Sequence, residues 1–341
     1  MPKVTVVMPV RNGGPYLRGA IESVLAQSLR DFEFLIIDDA SEDGSRDIVA
    51  QFGDPRIRLL RNATRLRLAE TLNRGLDAAQ GEHIARMDAD DLCDPDRLSR
   101  QTQFLDAQRE IGLCGTWART FGDERRVLRP PLHDEDIRAY ALFDNPLVHA
   151  TVMMRREWLV RHGLRYDGGF YPTEDFEFWQ RTLACFPHAN LPQVLLRYRV
   201  HGGGMTGAEW GDMDTQACRV VRRALERLGL TPCEEDVRFH RAVARGRSSG
   251  CRTWAELDRA ERWLAGIVEA NGRARVYAAG ALAQAVADAW FRACVHSAHL
   301  GPPLWARHRR SPLTARASRI RYQFQLALVL VRAAVRTREL S

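Results

Sequence analysis

The first ninety residues alternate between two hydrophobic periods, and that alternation limits the fold more than any other feature of the chain. Residues 4–10 form a continuous apolar run of the kind buried on both faces of a sheet. Leu17, Ile21, Val24 and Leu25 follow at helical spacing, and residues 32–37 form a second apolar run. Ser41 is placed to cap a helix carrying Ile48, Val49 and Phe52. Residues 57–60 make a third short strand, and Leu68, Leu72, Leu76 and Ala79 make another helical stripe that stops near Gly81. Residues 83–87 read as a fourth strand. Strands separated in this way by helices run parallel and are joined by right-handed crossovers, so the pattern predicts a doubly wound α/β half.

A chain of 341 residues that is 45% hydrophobic has room for roughly two domains and for a core that needs no disulfides. Its seven cysteines are scattered and never form C-x-x-C, which argues against a zinc ribbon or disulfide framework and for a reducing compartment. "MPKVTVVMPV" carries no secretory pattern, and no run reaches the ~18 apolar residues of a spanning helix, so the expected location is cytoplasmic.

Ligands of such sheets bind beyond the carboxyl ends of the strands. Three polar clusters fall there: Arg11 and Asn12 after the first strand, Asp38 and Asp39 after the second, and Asp88, Asp90 and Asp91 after the fourth. On an extended segment residues i and i+2 share a face, so Asp88 and Asp90 point together across Ala89. Carboxylates held close repel unless a positive charge lies between them. Two oxygen donors at a strand end suit Mg²⁺ or Mn²⁺, whose remaining positions are taken by water and substrate phosphates. The competing reading is an Asp-rich turn, with Asp94 capping a helix that Pro95 opens and that carries Leu98, Thr102 and Leu105. No G-x-G-x-x-G follows the first strand and no P-loop motif occurs, so a bound diphosphate needs another counter-charge.

Residues 110–150 show no clear period, and 148–154 read as a strand. Residues 171–184 read as a loop entering a helix with Phe176, Trp179 and Leu183 on its apolar face, and Trp158 and Trp179 are expected in the core. Residues 194–200 are a strand leading into the glycine loop "HGGGMTG". Beyond 207 the chain turns to Arg/Ala/Leu-rich helical periodicity, which sets a boundary near residue 206. From His299 onward nine arginines stand against one acid, Glu339, and residues 320–335 place Ile320, Phe324, Leu328 and Val335 on one face. Two readings of 208–341 stay open: a helical platform shaping an acceptor site, or that platform with added docking on an anionic membrane surface. The basic tract lacks interleaved aromatics and any binding motif, which argues against nucleic acid.

"VTVVMPVRNGGPYL", "FEFLIIDDASEDGS", "GEHIARMDADDLCDPDRLSRQ", "TEDFEFWQR" and "LLRYRVHGGGMT" occur in an order and spacing that resemble the family 2 glycosyltransferases over about residues 3–207. The resemblance implies a GT-A fold: a Rossmann-like, mostly parallel sheet flanked by helices, with a catalytic domain at 1–206 and a helical C-terminal region at 207–341. Within the catalytic domain, 1–110 would bind a nucleotide-sugar and 111–206 would face the acceptor. Pro9, Val10 and Asn12 would lie in the loop cradling base and ribose. Asp39 would accept a hydrogen bond from the base, with Asp38 as the alternative. Asp88, Ala89 and Asp90 would form the D-x-D motif on ribose and metal-diphosphate, with Mn²⁺ or Mg²⁺ as cofactor; Asp91 lies beside it. His201 would touch metal or diphosphate. Asp175 would be the catalytic base, while Glu174 reads as a first-turn acid favoured by the helix dipole; His149 is a weaker site candidate. Arg11 stands where the family often has an aromatic that stacks on the base, although a guanidinium also stacks.

The implied activity is metal-dependent, inverting transfer of a hexosyl or N-acetylhexosaminyl unit. The donor would be a nucleotide-sugar, a UDP-sugar by default, and the acceptor a hydroxyl of a glycan or lipid-linked acceptor in cell-surface polysaccharide synthesis. A docking tail would make the protein peripheral at the inner face of the cell membrane. The competing classes are a nucleotidyltransferase, whose first loop "PVRNGGPY" only faintly resembles, and a non-catalytic sugar-nucleotide or glycan-binding protein.

Overall fold

The computed structural model describes residues 1–202, 210–245, 251–314, 322 and 325–330. Strands β1 (Val4–Val10), β2 (Phe32–Asp38), β3 (Ile57–Arg61) and β4 (His83–Arg86) pair in parallel, as the alternation predicts. The sheet continues with β5 (Leu92–Cys93), β6 (Leu113–Gly122), β7 (Val127–Leu128), β8 (Met153–Arg155) and β9 (His188–Val200). Its order is β3-β2-β1-β4-β8-β6-β9-β5, with β7 paired to β6 off this path. β8 lies antiparallel between β4 and β6, and β5 lies antiparallel to β9, so the sheet is mixed beyond its parallel half.

Period-2 alternation along β1 divides the core. Val4, Val6, Met8 and Val10 face one layer with Leu17, Ile21 and Val24 of α1 (Gly14–Leu25) and Leu98 and Leu105 of α4 (Arg97–Ala107). Val7, with Leu35 and Ile37 of β2, faces the other layer with Leu72 of α3 (Arg67–Ala78) and Phe178 and Trp179 of α7 (Glu174–Cys185), the helix that follows α5 (Asp134–Tyr140) and α6 (Arg156–Arg161). Each such side chain contributes about 1.5–3 kcal/mol by leaving water. Trp158 packs against the second layer, as expected of a core residue. Gly75 sets the approach of α3, since a Cβ there would stand 2.5 Å from Val7 Cγ1.

Three local expectations are corrected. Helix α2 (Ser45–Ala50) starts after Gly44 and has no side-chain cap; the Ser41 hydroxyl instead accepts the Asn12 N–H at 3.0 Å and ties two loops together. Residues 148–154 are not one strand. A 3₁₀ turn at His149–Thr151 precedes β8, because the Thr151 hydroxyl donates to the Val148 carbonyl and accepts the Thr116 N–H, which holds the backbone in a turn. Helix α4 begins at Arg97 after Asp96, and Asp94 accepts the Asp96 N–H within the preceding turn.

The chain forms two compact units: Met1–Ile137 with Pro146–Ala217, and Arg138–Asn145 with Cys218–Ser341. The second is helical, with Trp210–Arg227, Glu234–Arg245, Trp254–Ala274, Ala279–His296 and Pro303–Arg310 among its described helices. Within it, Trp263 Nε1–H donates to His240 Nδ1 at 3.1 Å, and His240 Nε2 stands 3.0 Å from the Leu142 carbonyl. Arg241 and Arg245 pair with Asp144. Burial would raise the Asp144 carboxyl, but the two guanidinium groups hold it below the ordinary range. No described helix is long and apolar enough to cross a membrane. The boundary expected near residue 206 falls within 203–209, outside the described residues, as do arginines 316, 319, 321, 332, 336 and 338. Of the segment 320–335 only 322 and 325–330 are described.

Candidate active site

The carboxyl ends of β1 and β2 are stitched together by their loops. The Asp39 N–H donates to the Val10 carbonyl at 2.8 Å, and Asn12 Oδ1 accepts the Glu42 N–H at 2.9 Å. Pro9 and Val10 lie opposite Ile37 and Asp38 in the ladder; the Val10 side chain belongs to the core, so only its backbone faces the loop. Asn12 and Ala40 both hold positive φ, 52° and 54°, a conformation that costs a non-glycine residue about 1 kcal/mol or more. Arg11 donates to the carbonyls of Asp39 and Ala40 and pairs with Glu42 at 2.8 Å.

Asp38 and Asp39 have different tasks. Asp38 accepts the N–H of Ser41, closing its own turn. The Asp39 carboxylate is buried and reaches across to the loop before α3: Oδ1 accepts from Asn62 Nδ2 and the Leu66 N–H, each at 2.7 Å, and Oδ2 accepts the Arg67 N–H at 3.0 Å. Oδ2 thereby keeps acceptor capacity for one further donor.

The acid turn follows β4 and packs beside the first loop: a Cβ at Gly13 would stand 3.5 Å from the Ala89 Cβ. Asp88, Asp90 and Asp91 each bring a carboxylate oxygen within 4.8 Å of the others. Asp88 pairs with the guanidinium of Arg86, a side chain only 3% exposed at the end of β4. Desolvation raises the Asp88 carboxyl against the pull of Arg86, and it raises Asp91 well above the usual range, reinforced by Asp88 and Asp90. Asp91 is buried; Oδ1 accepts the Arg199 N–H at 2.7 Å, and Oδ2 has no hydrogen-bond partner. Three hard oxygen donors, one of them buried and unsatisfied, suit Mg²⁺ or Mn²⁺.

The end of β9 closes over this turn. Arg199 Nε donates to the Asp90 carbonyl at 2.8 Å, and its guanidinium lies 4.2 Å from the Tyr16 ring and 4.3 Å from the Phe121 ring. His201 Nε2 stands 3.1 Å from Asp90 Oδ2, with its ring 4.9 Å from Tyr16. His201 and Asp90, far apart in sequence, are therefore neighbours.

Asp175 sits in the first turn of α7, half-buried, where it accepts the Phe176 N–H at 2.6 Å. The charges of Arg86, Asp175, Glu174 and Asp88 act on the buried Tyr166 hydroxyl. Burial drives the Tyr166 hydroxyl upward. That hydroxyl lies 3.0 Å from His149 Nε2, whose ring burial and Arg86 keep neutral. His149 is thus a partner of Tyr166, with its ring edge-on to Trp179 at 5.6 Å.

Sequence reasoning missed Arg86, Arg199, Tyr16 and Tyr166. Arg86 had a readable signal: it interrupts an apolar strand two residues before Asp88, on the same face. Tyr16 and Tyr166 had none, since an isolated tyrosine near a helix start or in a loop has no period.

The profile of glycosyl transferase family 2 matches residues 5–163. The putative glycosyltransferase EpsE of Bacillus subtilis is 36% identical over 207 residues, covering 58% of this chain and 73% of that protein. The chain belongs to glycosyl transferase family 2. A second relative, the O-antigen biosynthesis glycosyltransferase WbnJ of Escherichia coli, is 30% identical over 209 residues, covering 58% of this chain and 80% of that one. Among solved structures, S. aureus TarS 1–349 in complex with UDP-GlcNAc aligns with a TM-score of 0.58 at 16% identity, covering 85% of this family 2 glycosyltransferase and 90% of TarS. The mannosyltransferase PcManGT from Pyrobaculum calidifontis, in complex with GDP-Man and Mn²⁺, aligns with a TM-score of 0.55 at 18% identity, covering 97% and 87%. These likenesses establish the GT-A fold for this family member.

Proposed function

We propose that the protein transfers a sugar from a nucleotide-diphosphate donor to an acceptor hydroxyl with inversion at the anomeric carbon, and that it needs Mn²⁺ or Mg²⁺. The observation carrying this reading is the meeting of Asp88, Asp90, Asp91 and His201 on one sheet edge with the Asp39 loop. Asp39, with its spare acceptor site, takes a hydrogen bond from the base, and the 9–12 loop flanks base and ribose. Arg11 is committed to loop carbonyls and Glu42, so base stacking falls to another group or to its guanidinium face. Asp88, with Ala89 beside it, holds the ribose side, and Asp90, supported by His201, holds the metal. The ion when bound supplies positive charge to the leaving diphosphate.

Asp175 takes the proton from the acceptor hydroxyl as that oxygen attacks the anomeric carbon from the face opposite the diphosphate. A single displacement needs one base and no covalent intermediate, which fits one half-buried carboxylate in the first turn of α7. Solved neighbours hold both UDP- and GDP-sugars; a UDP-sugar is the first donor to test. WbnJ supports a glycan or lipid-linked acceptor in cell-surface polysaccharide synthesis, with the enzyme meeting an anionic membrane face where that acceptor is anchored.

The test is a panel of nucleotide-sugars assayed for Mn²⁺-dependent hydrolysis, with Asp175→Asn alongside wild type. One donor should be cleaved, and Asp175→Asn should lower turnover about 10²–10⁴-fold while donor binding by calorimetry is kept. Wild-type turnover in Asp175→Asn removes the base assignment, and turnover indifferent to chelator removes the metal.

A further inference from the structure

We infer that Glu82, His83 and Asp106 form a second cation site, for a divalent transition-metal ion such as Zn²⁺, at the opposite end of β4 from the acid turn. The strand and its exit place the two sites roughly 16 Å apart at ~3.3 Å per residue. The site is independent of the proposed transferase chemistry.

The decisive side chain is His83. It is 0% exposed, and neither ring nitrogen has a hydrogen-bond partner. A buried polar group left unpaired costs about 1–3 kcal/mol, and an ion ligated by Nε2 would remove that cost for this nitrogen. His83 Nε2 lies 3.7 Å from Glu82 Oε1 and 3.7 Å from Asp106 Oδ1. That is too long for a hydrogen bond. It is, however, within a few tenths of an ångström of the separation, about 3.4 Å, between two ligands held at ~2.0–2.1 Å by one tetrahedral zinc. All three donor atoms fall within 4.8 Å of one another. Burial also keeps the imidazole neutral, with a lone pair to offer.

Lys3 is the resident competitor. Its ammonium bonds Glu82 Oε2 at 2.7 Å and Asp106 Oδ1 at 2.9 Å, drawing the carboxylates together, yet both His83 nitrogens stay unsatisfied. Pairs this exposed are worth ~1 kcal/mol or less. The Lys3 side chain, Glu82 and Asp106 line an open cleft of about 600 Å³, which gives an ion a way in and the lysine a way out. An ion here would join the start of β4 to the last turn of α4, the two ends of the segment whose middle carries Asp88 to Asp91.

The experiment is calorimetric titration of Zn²⁺ into chelator-stripped full-length protein carrying Asp88→Asn, Asp90→Asn and His201→Gln, which leaves the acid turn only Asp91. One ion per chain is expected. Adding Asp106→Asn, a side chain 48% exposed and so tolerant of exchange, should weaken binding at least 10-fold; adding Lys3→Met should tighten it several-fold. In parallel, His83→Asn should abolish the zinc-dependent rise in Tm. Absence of stoichiometric binding, or binding that Asp106→Asn and Lys3→Met both leave unchanged, overturns the site.

Discussion

The Arg199 N–H donates to the buried Asp91 carboxylate at 2.7 Å, and the same residue's guanidinium holds the next carbonyl back along the turn, that of Asp90, at 2.8 Å. One residue at the end of β9 thus grips the acid turn twice, and the rings of Tyr16 and Phe121, both within 4.3 Å of the guanidinium, restrain it. Arg199→Leu keeps the main-chain grip and loses the side-chain one. Expected is a fold of ordinary stability, with kcat/KM lowered about 10–100-fold by displaced carboxylates. The check is steady-state kinetics beside a melting curve; unchanged kinetics would show the turn to be self-supporting.

Arg86 is the built-in cation of the acid turn. Removing one partner of a buried ion pair costs about 3–5 kcal/mol, and Asp88, 28% exposed, brings the expected loss to the lower end of that range. Arg86→Met should therefore unfold at lower urea, and millimolar Mn²⁺ should recover more stability in the variant than in wild type. Equal Mn²⁺ gains in both proteins would deny Arg86 this electrostatic role.

His240 gives the helical unit an acid-sensitive point. Burial lowers its pKa to about 4, while in an unfolded chain histidine titrates near ~6.5. Between these values the unfolded state binds the extra proton, so stability is full above about pH 6.5 and falls as pH drops toward about 4. The gap corresponds to roughly 3 kcal/mol. Urea midpoints at pH 7 and pH 4.5 should differ accordingly, and His240→Gln should lose most of the difference. Asp144, whose carboxyl is held low, loses its contribution only in more acidic solution.

Gly81 admits no side chain. A Cβ there would stand 2.4 Å from the Thr5 nitrogen and 2.6 Å from the Val4 carbonyl carbon, both backbone atoms of β1 that cannot step aside. Gly81→Ala should cost about 1–3 kcal/mol, whereas Gly53→Ala, with nothing within 4 Å, should stay within ~0.5 kcal/mol of wild type. Thermal denaturation of the pair separates the two.

The parallel half was legible because its signals are periodic: Val4 to Val10 alternates between two cores, and Leu17, Ile21 and Val24 repeat on one helix face. The span containing β6 was not, because Thr116 and Thr120 are buried within it by hydrogen bonding and mimic a polar loop. The meeting of Asp88 with Asp90 could be read from their spacing, although the chain at residues 89 and 90 is a turn and not the extended segment expected, and Asp175 could be singled out only through family resemblance. The Arg199 grip depends on a contact across more than a hundred residues, which no local pattern encodes.

The short stretch Arg138–Asn145 leaves the sheet-bearing unit, joins the helical one and returns at Pro146. Ala141, Leu142 and Phe143 are buried there, and the Leu142 carbonyl meets His240. A gene truncated after codon 206 would still encode this greasy loop but not the helices that shelter it. The C-terminal third is accordingly no removable appendage: a single cut before it would uncover Leu142 and Phe143, which rest on His240.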